Sequence, residues 1–180
     1  MKDVVFITGN QNKADYFSQL IGHPIDHVKV ELDEIQSLDL KEIVKHKLHQ
    51  AYKQVRRPVL VEDVSLEFSA LGRLPGTFIK WFLQDMSYES ICKLLEGKDR
   101  GAKAKCVFGY FDGTEEIYFE GELAGTIPGS PAGTGGYGWD PIFIPEGFQI
   151  TRAQLKPEDD LKTYLIIKPI DKVREFLEVI

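Results

Sequence analysis

Hydrophobic positions along the chain recur at two spacings, and the switches between them mark out strands and helices. Val4 to Ile7 is wholly apolar and too short to alternate, which reads as a buried strand. After a turn at Thr8-Gly9-Asn10 the spacing lengthens. Tyr16, Phe17, Leu20 and Ile21 share one face of a helix expected over Asn12 to Ile21, with Gly22 as its stop and Pro24 just beyond. Val28, Val30 and Leu32 alternate with Lys29 and Glu31, the period of a half-buried strand expected to end at Asp33-Glu34. Asp39 with Glu42 three residues on marks a second helix start. Leu40, Ile43, Val44, Leu48, Ala51 and Val55 carry its apolar stripe toward Arg57, and Pro58 ends it.

A third apolar run, Val59 to Val61, delivers two adjacent carboxylates, Glu62 and Asp63, where the strand pattern is expected to stop. A loop rich in Gly and Pro follows at Ala70 to Gly76, then an aromatic block at Phe78-Ile-Lys-Trp-Phe82, then a short helix over Ser87 to Glu96 closed by Gly97. Ala104 to Phe111 and Glu116 to Phe119, joined around Asp112-Gly113, are expected to form a hairpin that runs on toward Ile127. Pro128 to Gly138 is the most glycine-dense stretch, Ile142 to Ile144 is strand-like, and Pro169 opens a final helix that buries Ile170, Val173, Phe176, Leu177 and Ile180. Early strand-helix alternation followed by a hairpin predicts an α/β protein, a mixed sheet with helices packed on it. With 180 residues, no internal repeat and no linker, a single domain over 1–180 is expected.

Charge narrows the function classes. A net charge of −6 argues against a nucleic-acid binder, whose backbone contacts need a basic face. No apolar run approaches the roughly 18 residues of a membrane span, and Lys2-Asp3 leads straight into Val4 to Ile7 without a signal-peptide pattern, so a cytoplasmic protein with no membrane association is expected. Cys92 and Cys106 fit reduced core residues better than a disulfide. His46 and His49 stand three apart on a helix with no cysteine or carboxylate at ligand spacing, so zinc is not indicated.

Three segments could carry chemistry. Thr8-Gly9-Asn10 with Lys13 lies at a strand-turn-helix junction, where turn amides, a helix N-terminus and an ammonium group can face phosphate; an N-cap asparagine with a solvated lysine would leave the same trace. Neighbours on a strand point to opposite faces, so only one of Glu62 and Asp63 can face a given ligand and the other is anchored or solvated. Glu34 and Asp63, each at an expected strand end, could together hold Mg²⁺, which takes oxygen ligands and keeps several waters, and Lys47 could reach the same place from its helix. Gly133-Thr-Gly-Gly-Tyr-Gly138 spells G-x-G-x-x-G, but Pro141 blocks the helix that a dinucleotide site requires, leaving a ligand-covering loop or a plain turn.

Thr8-Gly9-Asn10 to Lys13, Val61-Glu-Asp-Val-Ser65, Leu71-Gly-Arg-Leu-Pro-Gly76, Ile79-Lys-Trp-Phe-Leu83 and Gly136-Tyr-Gly-Trp-Asp-Pro141 together resemble the inosine triphosphate pyrophosphatase family in order and spacing, over residues 4 to about 148. The resemblance implies an elongated mixed β-sheet with two lobes around a central cleft, a homodimer, and Mg²⁺-dependent hydrolysis of deaminated purine nucleoside triphosphates to monophosphate and pyrophosphate. It places the phosphate turn on Thr8, Gly9, Asn10 and Lys13, the metal carboxylates on Glu34 and Asp63, with Asp63 also the water-activating base, a phosphate-side lysine on Lys47, and the nucleoside-lining segment on Tyr137, Gly138, Trp139 and Asp140. The C-terminal part departs from the pattern. Asp160 stands where the family has a lysine, and Tyr164, Leu165 and Ile166 stand where it has a Ser-His-Arg triplet. Apolar side chains cannot choose a carbonyl over an amino group, so base selection is expected to be altered or relaxed. The alternative is a catalytically weak nucleotide-binding or regulatory relative.

Overall fold

The structure is a computed structural model that describes residues 3–180. Among the described residues seven strands form one sheet in the order β2-β1-β3-β5-β6-β7, with β4 paired to β3. They are β1 (Val5–Ile7), β2 (Asp26–Val28), β3 (Val59–Phe68), β4 (Pro75–Gly76), β5 (Gly101–Phe111), β6 (Glu116–Thr126) and β7 (Ile144–Pro145). Among the described residues six α-helices accompany them: α1 (Gln11–Ile21), α2 (Leu40–Val55), α3 (Ile79–Asp85), α4 (Tyr88–Lys93), α5 (Pro157–Ile167) and α6 (Ile170–Val179). Pairing is parallel from β1 to β2 and β3, and antiparallel from β3 to β4 and β6 to β7, so the sheet is mixed as expected. Among the described residues no helix is long and apolar enough to cross a membrane.

The chain contributes to two compact units. Of the described residues the first holds 3–63, 106–120 and 168–180, and the second holds 64–105 and 121–167. In the first unit the alternation of β3 and β5 sorts the core onto two faces. Val59, Val61 and Val107 meet Leu40, Val44, Leu48 and Ala51 of α2, and a Cβ added to Gly109 would stand 2.6 Å from the Val44 and Leu48 side chains, so the helix lies close on that strand. The even-numbered residues turn the other way: Phe6, Phe17 of α1 and Phe108 stack together, and Tyr110 meets Phe176 of α6 edge-on.

Two expectations need correcting. The second strand is only Asp26–Val28, because its parallel partner β1 offers three residues before the chain turns at Thr8; the alternating residues 29–34 therefore have no strand beside them. Glutamines of α2 hold that stretch instead. Gln50 accepts from the Asp33 amide at 2.9 Å, and Gln54 donates to the Glu31 carbonyl at 3.0 Å. Nor does β3 stop at Asp63; it runs on to Phe68, where Leu66 and Glu67 pair with Gly76 and Pro75 of β4. Helix α5 was not expected at all.

Candidate functional site

The turn after β1 is built by local hydrogen bonds. Thr8 donates its amide to Val28, the Thr8 hydroxyl accepts from the Asn10 amide at 3.1 Å, and the Asn10 side chain caps α1 by accepting from the Lys13 amide at 3.1 Å. A Cβ on Gly9 would come within 2.9 Å of the Lys29 side chain, so the glycine lets that chain lie close. The first turn of α1 contains no acidic residue, which leaves the positive end of its dipole uncompensated there.

Lys13 does not reach toward Asp63. Its ammonium pairs with Glu62, whose side chain is 2% exposed, and the same carboxylate accepts from Lys168 at 2.7 Å. Burial opposes ionisation of Glu62, yet Lys13 and Lys168 outweigh it and hold the carboxyl down at about 2. The Cys106 thiol lies 3.7 Å from Glu62 and is pushed well up, first by burial and then by that negative charge. One carboxylate between two ammonium groups leaves the trio with a single formal positive charge, beside the turn proposed for phosphate.

Asp63, the next residue, faces the α2 side. Lys47 donates to Asp63 at 2.7 Å and to Glu34 at 3.1 Å, so one nitrogen gathers both expected metal carboxylates. Desolvation works against the Lys47 ammonium, but Asp63 and then Glu34 raise its pKa above the ordinary value. This trio sums to a single formal negative charge. The donors suit a hard divalent ion: two carboxylates, neither histidine nor thiol, and a half-exposed Glu34 that leaves room for waters. Among the described residues no three His, Cys, Asp or Glu side chains are grouped to hold a metal ion.

The segment expected to line the nucleoside, Tyr137 to Asp140, lies in the second unit. Asp140 is 5% exposed; one oxygen accepts from the Tyr137 amide at 2.7 Å and the other from Arg152 at 3.0 Å. Gly138 is held by its carbonyl, which accepts from the Tyr88 hydroxyl at 2.7 Å. Gly136 has φ 77°, and a Cβ there would stand 2.3 Å from Asp140, so glycine is required for the turn to close on that carboxylate. No helix follows the glycines, only a 3-10 turn at Asp140–Ile142, which removes the dinucleotide reading.

Sequence reasoning thus located Glu34, Lys47 and Asp63 as a group and Thr8 to Lys13 as a turn, but missed Glu62 as the partner of Lys13, Lys168 as a second cation, and Arg152. The period of β3 carried the first signal, since it separates Glu62 from Asp63. The Thr151-x-x-Gln154 spacing of a capping box, realised around Arg152, carried the last.

The model of the Ham1 family matches residues 4–166. The chain belongs to the Ham1 family. It is 40% identical to the inosine triphosphate pyrophosphatase of Emericella nidulans, covering 98% of this chain and 97% of that protein, and 43% identical to inosine triphosphate pyrophosphatase 2 of Trypanosoma cruzi, covering 87% and 82%. Among solved structures, the Staphylococcus aureus Ham1 protein superposes with a TM-score of 0.82 at 27% identity, covering 97% of each chain. A HAM1 protein from Coxiella burnetii gives 0.85 at 23% identity over the full length of both chains, a likeness of fold.

Proposed function

We propose that this Ham1 family protein is a Mg²⁺-dependent nucleoside triphosphate pyrophosphohydrolase, converting a purine nucleoside triphosphate and water to the monophosphate and pyrophosphate. The observation that carries the reading is the pair of oppositely charged trios on β3: Lys13 and Lys168 on Glu62, and Glu34 and Asp63 on Lys47. The similarity to proteins named inosine triphosphate pyrophosphatase over nearly the whole chain supports the same reading.

In this scheme the Thr8-Gly9-Asn10 turn holds phosphate oxygens through the Gly9 amide and the Thr8 hydroxyl hydrogen, Lys13 adds charge, and Lys168 adds a second cation through Glu62. Glu34 and Asp63 would hold the metal, which supplies neutralisation and orientation of the polyphosphate. Water attacks the α phosphorus as Asp63 accepts its proton and Lys47 steadies that carboxylate; the bond from the α phosphorus to the bridging oxygen breaks, and pyrophosphate leaves with that oxygen and the electron pair. Tyr137, Gly138, Trp139 and Asp140 line the nucleoside.

A cytoplasmic location belongs to the same reading and rests on two buried free cysteines. So does a homodimer, for which the exposed Leu74 and Trp81 of the second unit offer apolar surface. The test is a panel of nucleoside triphosphates assayed for pyrophosphate release with Mg²⁺ and again after chelation. Release from at least one purine nucleotide that stops on chelation is the expected result, and no release from any of them overturns the proposal.

A further inference from the structure

Arg152 is a buried cation of the second unit whose three hydrogen bonds all go to other side chains. It is 8% exposed, and its Nε donates to Thr163 at 3.0 Å, one Nη to Asp140 at 3.0 Å and the other Nη to Asp160. A guanidinium has five N–H groups, so these bonds leave one hydrogen on each Nη. The cluster carries two carboxylates against one cation, and the desolvation of three charges gives it little net advantage over an apolar filling of equal volume.

Its placement speaks for recognition. Through Asp140 it fixes the Tyr137 amide, and through the short turn at Arg152–Gln154 it borders the glycine loop, since Gly135 donates its amide to the Ala153 carbonyl. The indole Nε1–H of Trp139, next to Asp140, is buried with no protein acceptor, a donor that an incoming group would satisfy. Asp160, the partly exposed member, sets a carboxylate acceptor beside the guanidinium donors.

A donor next to an acceptor is complementary to a lactam edge, in which a carbonyl oxygen adjoins a ring N–H. Hypoxanthine, xanthine and guanine present that edge at O6 and N1; adenine presents the reverse, an amino group beside a bare ring nitrogen, and the glycosidic bond fixes which group comes first. We propose that Arg152, held by Asp140 and Asp160, is the specificity-determining residue that selects a 6-oxopurine nucleotide over adenine. The proposal rests on the nucleotide-hydrolase reading, and it makes base selection altered in its contacts while keeping it strong: Leu165 and Ile166 contribute no hydrogen bond, and the guanidinium does.

The test compares kcat/KM for inosine and adenosine triphosphates in the wild type, Arg152→Gln, Arg152→Lys and Asp160→Asn, with melting temperatures alongside. The wild type should prefer the inosine nucleotide by about a hundredfold or more, and Arg152→Gln should cut that ratio at least about tenfold. Arg152→Lys, which keeps the charge without the fork, should fall between them. Equal losses on both substrates with an unchanged ratio would assign Arg152 a structural role and overturn the inference. Should Arg152→Gln fail to fold, Asp160→Asn at the exposed rim decides: a reduced ratio supports selection by the pair, and an unchanged ratio refutes it. A wild type active on both nucleotides without preference sinks this inference alone, whereas a wild type inactive on every triphosphate sinks the hydrolase reading with it.

Discussion

Replacing Glu62 by glutamine removes the negative centre that Lys13 and Lys168 share and leaves two ammonium groups facing a neutral amide. Burial alone would push the Glu62 carboxyl upward; the two lysines more than offset this and hold it at about 2 instead of 4.5. A depression of that size corresponds to on the order of 3 kcal/mol of stability carried by the charged form. Because the folded-state value lies below the unfolded one, this contribution is fully present above about pH 4.5 and is lost as the pH falls toward about 2. Urea unfolding of wild type and Glu62→Gln, from neutral pH down to about pH 3, reads the difference directly. The two proteins should differ by on the order of 3 kcal/mol at neutral pH and converge steadily as the medium becomes more acidic than pH 4.5. A gap that stayed constant over the whole range would mean that the variant suffers from lost packing and that the lysines do not hold the charge; no gap at all would refute the trio outright.

Asp63→Asn should lower kcat by about a hundredfold or more with the melting temperature little changed, and near wild-type turnover would remove Asp63 as the base. Lys13→Ala should chiefly raise KM for the triphosphate, and unchanged kcat and KM would take it out of the phosphate site. Joint replacement of Gln50 and Gln54 by alanine frees the stretch that carries Glu34, so the Mg²⁺ concentration giving half-maximal activity should rise several-fold; an unchanged metal requirement would show that Glu34 needs no such support.

Elements with one clean spacing were legible in the sequence, and those shaped by a partner or by charge were not. Helix α2 could be read from its stripe and the Asp39 cap, which accepts from the Lys41 and Glu42 amides. The hairpin of β5 and β6 could be read from alternation and the Asp112-Gly113 turn. Residues 28–32 alternate as a strand does, but a strand exists only where a neighbour offers backbone groups, and β1 offers three residues. Helix α5 hid because Leu161 and Ile166 face outward and only Thr163 and Ile167 are buried, so its apolar residues form no stripe; Pro157 followed by Glu158, Asp159 and Asp160 was the start signal available. In the site, the Glu34–Lys47–Asp63 group was named on residue type, but neither carboxylate stands at the strand end expected for it: Glu34 lies beyond β2 and Asp63 within β3. The partners of Lys13 and the role of Arg152 were not legible, because they depend on which buried carboxylates the folded chain brings to them.

The central claim is the bond that is broken, and the products name it. Inosine triphosphate incubated with the protein and Mg²⁺, with its phosphates resolved by phosphorus NMR, should give inosine monophosphate and intact pyrophosphate in equal amounts. Inosine diphosphate with orthophosphate would contradict the account, because it would mean attack at the terminal phosphate.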